Sequence, residues 1–220
     1  VVIESSEISN NSNNFETYTM GGGIYTDQDV LLTLNNVIIS HNTNGRGGGI
    51  FCEGSDSELI LNNVIINNNY GMYSGGGIYT YLVKNVILQN TIMYDNHDGD
   101  LSSNLGGGGE SNAIAFMASD AILINSILWG TIPQTILFLN SGGDSYFQSS
   151  IVIEHSNMND GQDNIILQTD NEDGISIWGD GNIDSDPLFI NADNYDFRIQ
   201  ADSPCIDAGT NDINMDGTPD

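Results

Sequence analysis

Nine residues at the end of the chain have the types and spacing to hold a hard cation. Asp212-Ile213-Asn214-Met215-Asp216-Gly217-Thr218-Pro219-Asp220 follows the first nine positions of an Asp-x-Asn-x-Asp-Gly calcium loop. In such a loop alternate oxygens surround the ion, and Gly217 permits the sharp turn. Asp212, Asn214, Asp216 and Asp220 would offer side-chain oxygens and Thr218 a backbone carbonyl, while the bidentate acid that closes the pattern would lie past Asp220. Ca2+ is therefore the expected cofactor, and a flexible acidic tail is the plainer alternative. Calcium heats measured by calorimetry should vanish in Asp216→Ala; matching heats would remove the site. A second acidic group, Asp160, Asp163, Asp170, Glu172 and Asp173, lacks fixed metal spacing and reads as a solvated loop.

Other chemistry is thinly represented. His41, His97 and His155 are isolated and read as turn or surface residues. No Gly-x-Ser-x-Gly, Cys-His pairing or zinc spacing is present. The formal charge is −27, from 30 acids against Arg46, Lys84 and Arg198, and half of those acids follow His155. A nucleic-acid partner needs a basic footprint, which this composition excludes. No apolar run is long enough to span a membrane as a helix. The chain begins at Val1 in the middle of a repeat, and is expected to be a mature or excised piece of a longer protein.

The elements that must position these residues are repeats. Gly21-Gly22-Gly23-Ile24-Tyr25 recurs as Gly47-Gly48-Gly49-Ile50-Phe51 and Gly75-Gly76-Gly77-Ile78-Tyr79. Between the triples lie Leu32 to Asn42, Leu59 to Asn69 and Val86 to Asn96, with weaker copies at Val1 to Asn11, Ile122 to Leu128 and Phe147 to Ile153. Self-similarity at such a period marks a solenoid, in which each repeat buries its apolar face only against its neighbours. Short runs of Val, Ile and Leu bounded by Gly and Asn read as strands, and the glycines disfavour helix. A 27-residue period suits a coil of three short strands and three turns.

Asn36, Asn63 and Asn90 keep a strict 27-residue spacing, as do Asn42, Asn69 and Asn96, and Asn125 extends the first series after an insert. Stacked coils place like residues about 4.8 Å apart. An asparagine amide can then donate to one neighbour and accept from the other, forming a structural ladder. On that basis Asn63→Leu should destabilise more than Thr33→Leu. The glycine triples supply positive φ at a corner, or close approach of backbones. Tyr25, Phe51 and Tyr79 share one repeat position. Pointing outward they would stack sugar rings; pointing inward, the favoured reading, they form an aromatic core stack, and exposure of Tyr79 discriminates. Cys52 and Cys205 should lie about 20–25 Å apart along the stack and stay unpaired, unless the last segment folds back.

These repeats resemble bacterial right-handed parallel β-helix proteins, in particular large secreted surface proteins. The triples look like the Gly-Gly-Ala-Ile type motif of polymorphic outer-membrane and autotransporter-like passengers. Ile39-Ser40-His41-Asn42, Ile66-Asn67-Asn68-Asn69 and Met93-Tyr94-Asp95-Asn96 look like the companion Phe-x-x-Asn motif. Gly181 to Phe189 and Ala201 to Gly209 resemble the segments that precede sorting or anchoring domains, and the acidic loop is similar to those of dockerin-like and thrombospondin-type repeats. The resemblance implies a secreted or outer-surface location, and a family that includes adhesins, structural proteins and polysaccharide-cleaving enzymes. Lyases on this fold combine calcium-binding acids with a Lys or Arg base, but Arg46 and Lys84 have no neighbouring acids in their repeats. Hydrolases need several Asp on one face, where this chain carries Asn, a poor acid or base.

The expected architecture is thus an all-β, right-handed parallel β-helix solenoid with three strands per coil. Its repeats occupy 1–156, terminal coils and an acidic capping segment 157–211, and the truncated calcium loop 212–220. The expected function is non-catalytic: adhesion, glycan contact or surface-structure assembly. Partners would be extracellular polysaccharide, a cell-surface ligand, or copies of itself through open helix ends. A lyase or hydrolase acting on acidic polysaccharide and a fibre-forming structural protein are the alternatives.

Overall fold

The structure, a computed structural model, describes residues 1–13, 19–99, 112–131, 134–139, 149–167, 174–213 and 218. Among the described residues strand makes up 53% and helix 4%, an all-β composition as the repeats require. Three parallel sheets wind around one core. Sheet 1 stacks Val2–Glu4, Leu31–Asn35, Glu58–Asn62, Asn85–Gln89, Asp120–Ile124, Ser149–Glu154 and Gly174–Trp178. Sheet 2 stacks Glu7–Ser9, Ile38–Ser40, Ile65–Asn67, Ile92–Tyr94, Ile127–Trp129 and Asn157–Met158. Sheet 3 stacks Ile24–Thr26, Ile50–Glu53, Ile78–Tyr81, Asn112–Met117, Thr135–Leu139 and Ile165–Leu167. A short fourth sheet of Thr43–Arg46, Tyr70–Ser74 and His97–Asp98 bridges sheets 2 and 3 in the middle coils. The result is the expected parallel β-solenoid, with three main strands per coil.

Strand alternation sends every second side chain inward. Leu34, Leu61, Leu88, Leu123 and Ile153 form one inward column of sheet 1, in unbroken register. Ile39, Ile66, Met93, Leu128 and Met158 do the same in sheet 2. Ile24, Ile50, Ile78, Ile114 and Ile136 complete the core from sheet 3. Burying each such side chain stabilises by about 1.5–3 kcal/mol, so repetition of a thin core replaces the single thick core of a globular domain.

The two asparagine series do different jobs. Asn36, Asn63, Asn90 and Asn125 have φ of 56°, 54°, 51° and 52°. They turn the chain from sheet 1 to sheet 2, in the left-handed region that Asn enters more readily than most residues. The first three are exposed, and the rung seen among them runs from Asn63 Nδ2 to Asn36 Oδ1 at 2.6 Å. Asn42, Asn69 and Asn96 are the internal ladder, each with no exposed surface. Asn42 Nδ2 donates to Asn69 Oδ1 at 3.0 Å, and Asn69 Nδ2 donates to Asn96 Oδ1 at 2.9 Å. The same amides reach back to the carbonyls of Ile8, Ile39 and Ile66. Asn11 adds a rung below, and Gln134 accepts from the Asn96 N–H above.

Gly47, with φ of 60°, turns a corner as expected, and Gly21 and Gly75 repeat it one coil away on either side. Gly48 and Gly76 serve a different need, close approach: a Cβ on either would overlap backbone atoms of Tyr70 or His97 in the strands beside them.

Phe51 and Tyr79 of the aromatic column are buried and stacked, as the favoured reading expected, but on the outer side of sheet 3 and not inside the coil. Ile50 and Cys52 point into the core, so Phe51 between them points away from it, and Tyr25 and Tyr79 follow in register. The rings stack at 5.6 and 5.2 Å between centroids. Phe51 and Tyr79 join Ala115 and Leu137 in a second buried cluster on the outer side of sheet 3, where the Arg46 guanidinium lies over the Tyr79 ring. Next to it, partial burial and then the Asp27 charge push the Glu53 carboxyl above its ordinary value of 4.5. The folded state therefore holds the Glu53 proton more tightly than the unfolded chain, so stability falls as pH rises through this range. Glu53→Gln should melt higher than the parent at pH 7, with the gap closing as pH drops below about 4.5. A gap independent of pH would refute this.

Candidate functional site

The segment after the last coil folds back over the outside of sheet 2. It leaves the solenoid at Ile183, whose backbone pairs with Met158 and Ser156, and runs toward the first coils. Phe189–Asn191 and Asp196–Ile199 form an antiparallel pair. Their turning point is Tyr195, with φ of 62°, whose hydroxyl bonds His41 Nε2 at 2.8 Å. The return leg is tied at Asn125, where Thr210 donates to Oδ1 and Thr210 O accepts from Nδ2 at 2.8 Å each. His155 Nδ1 bonds Ala208 O, and Asn157 Nδ2 lies 3.1 Å from Cys205 Sγ. The strap is seated by an aromatic cluster on the sheet: Tyr94 meets Phe197 at 5.2 Å and Phe189 at 6.1 Å, and those two meet each other at 5.3 Å.

The sequence-predicted residues that the structure describes can now be placed. Both cysteines are free. The tail does fold back, but Cys52 points into the core from sheet 3, whereas Cys205 rests against sheet 2. Burial pushes the Cys52 thiol above its usual range. Of the possible sugar-stacking residues, Tyr25 is 48% exposed, but Phe51 and Tyr79 are only 1% and 2% exposed, so the column presents one open ring. Of the calcium loop, Asp212 and Thr218 are described, and the Asp212 N–H donates to Thr210 Oγ1 at 3.1 Å. Asn214, Asp216 and Asp220 lie outside the described residues, as do Asp170, Glu172 and Asp173 of the other acidic group. Among the described residues, no three His, Cys, Asp or Glu side chains gather to hold a metal. Arg46 and Lys84 stay apart in function: Arg46 covers Tyr79, and Lys84 is exposed in the turn before Asn85.

The seam between strap and sheet contains hollows that sequence reasoning missed. One, of about 470 Å³, lies under Phe197, Arg198 and Ile199, against Ile92 and Ile127. Arg198 there is committed to Asp196, 2.6 Å away. Another, of about 270 Å³, is walled by Tyr94, Trp129, Thr131, Asp186, Phe189 and Gln200. Tyr94 and Trp129 are partners in the outward column of sheet 2. Thr131 is fixed by its N–H and hydroxyl, which donate to Asp95 Oδ1 at 2.6 and 3.0 Å. The opposite wall turns at Asp186, whose Oδ1 accepts from Leu188 N at 2.9 Å, and Gln200 is held through Nε2 to Phe189 O at 3.1 Å. The hollow combines aromatic faces with a few fixed polar groups, the make-up of a small-molecule site. One signal was available in the sequence: Tyr94-Asp95-Asn96 and Trp129-Gly130-Thr131 occupy the same repeat position, with an aromatic residue in each.

These observations define a parallel β-solenoid with a clasping C-terminal strap. No protein-family model, curated protein or solved structure matches the chain.

Proposed function

We propose that this chain is a non-catalytic segment of a secreted bacterial cell-surface protein, a rigid solenoid that makes contact with glycans in adhesion. The observation that carries this reading is the hollow beside Tyr94 and Trp129, an aromatic-walled, hydroxyl- and carboxylate-edged recess on the outside of a stiff sheet. The ladder positions support it from the other side: they carry buried amides engaged with neighbouring coils, which leaves them to structure and not to proton transfer. Calcium at 212–220 belongs to the same proposal, as an ion that would order the acidic end.

A glycan array with the purified protein, followed by product analysis of every glycan that binds, tests the reading. Retention of a subset of glycans with no change in their length is expected. Release of reducing ends or unsaturated uronate would replace it with the polysaccharide-cleaving alternative, and binding to no glycan would end it.

A further inference from the structure

We propose that the hollow walled by Tyr94, Trp129, Asp186 and Phe189 is a subsite for one sugar ring that bears no acidic group, a neutral hexose or, preferably, a hexosamine with a free amine. The inference rests on the glycan-contact reading above and narrows it to a place and a ligand class.

Three independent features of the hollow lead there. The first is shape and surface. Tyr94 and Trp129 stand on adjacent rungs of sheet 2, about 4.8 Å apart, and Phe189 closes the far side. One face of a pyranose ring displays C–H groups and packs on the electron-rich face of an aromatic ring. Its edge displays hydroxyls, which Thr131, Asp186 and Gln200 are placed to meet. A volume of about 270 Å³ holds a single ring and not a long chain buried end to end.

The second feature is charge. Asp186 lines the hollow, and Asp95 anchors its floor through Thr131. The Tyr94 hydroxyl feels both, together with Asp193: burial first, then these three carboxylates, push its pKa up. The hydroxyl therefore stays a neutral donor, and the surrounding field is negative. A uronate or sialic acid entering here would meet like charge in a molecule of formal charge −27, whereas a protonated amine would be drawn in.

The third feature is strain. Leu188, on the wall between Asp186 and Phe189, has φ of 52°. A branched, bulky residue rarely adopts this conformation. Here it is held by the Asp186 carboxylate on its own N–H and by Gln200 N on its carbonyl. Backbone strain maintained by its surroundings clusters at ligand sites.

Calorimetric titration of the intact protein with three short oligomers tests the proposal: glucosamine, neutral glucose and galacturonate units. Binding in the order glucosamine, then glucose, with none for galacturonate, is expected. Trp129→Ala should weaken the neutral oligomer about tenfold, and Trp129→Phe should restore most of that loss. Asp186→Asn keeps an oxygen for the Leu188 N–H and for a sugar hydroxyl but removes the charge, so it should weaken the amine oligomer several-fold more than the neutral one. Trp129 projects outward from sheet 2, and an unchanged circular dichroism spectrum and melting point will confirm that its variants fold. Galacturonate binding as tight as the others would overturn the ligand class. Glycan binding that survives Trp129→Ala undiminished would overturn the subsite but leave the adhesion reading standing, and a parent protein that binds no glycan would remove both.

Discussion

Asn69→Leu is expected to lower the unfolding free energy by about 4 kcal/mol, a loss set by the buried bonds its amide makes. Asn69 Oδ1 accepts from both the N–H and the amide of Asn42, at 3.0 Å each. Its Nδ2 donates to Ile39 O at 2.9 Å, and to Asn96 Oδ1. Leucine would leave the Asn42 N–H and the Ile39 carbonyl without these partners in a site with no exposed surface, and each unsatisfied buried group costs about 1–3 kcal/mol. Leucine also has nowhere to branch, because Gly49 sits directly against the amide. Asn63→Leu is the instructive comparison. Its cost is the left-handed φ of 54°, worth about 1–2 kcal/mol for an ordinary residue, since its side chain is exposed. Thr33→Leu, on the outward column of sheet 1, should be near neutral. Thermal melts should therefore rank Asn69→Leu lowest, then Asn63→Leu, then Thr33→Leu. Equal midpoints for the first two would show that the buried ladder has no special role.

Gly76→Ala is expected to cost about 3 kcal/mol or more, or to yield no folded protein. A Cβ at Gly76 would overlap the N, C and O atoms of His97, all of them backbone, so no side chain can swing aside. Relief would require the strand pair Tyr70–Ser74 and His97–Asp98 to part, which breaks hydrogen bonds in the short fourth sheet. Gly161→Ala provides the complementary case. Its nearest atoms stand at 3.7 Å, an ordinary contact, but its φ is 54°. It should lose only about 1 kcal/mol, from backbone conformation alone. Soluble yield and melting temperature separate the two variants, and a Gly76→Ala protein that melts with the parent would refute the close-approach account.

The architecture could be read from the sequence because a solenoid repeats its physics at every turn. Inward columns such as Leu34, Leu61 and Leu88 recur at the period that the asparagines announce, and Gly47 turns where the triples said a corner should be. Three things could not be read. Asn36 and Asn42 share residue type and spacing, and only the backbone shows that one is an exposed corner and the other a buried rung. Ile50-Phe51-Cys52 is apolar at all three positions, which erases the in–out alternation and hides the cluster on the outer side of sheet 3. The strap depends on contacts such as His41 with Tyr195, 154 residues apart and outside any period. The candidate hollow forms only where the strap meets the sheet, so neither partner reveals it alone. The acidic loop was legible as a calcium-type motif, but three of the five residues it names fall outside the described residues.

The strap also acts as a measuring rod. It is fastened at the C-terminal end of the stack, where Ser156 and Met158 pair with Ile183, and its tip meets His41 several rungs toward the N-terminal end. Its reach is set covalently by the residues between those points, independently of how many turns lie beneath. Inserting or deleting one 27-residue turn between Tyr94 and Ser156 would leave each ladder in register, yet displace the tip by one rung, about 4.8 Å. Tyr195 would then face Asn68 or Asn10 in place of His41, and the Phe197 ring would lose its place over Tyr94. Gene duplication can lengthen such a rod easily; the strap makes this one count its turns.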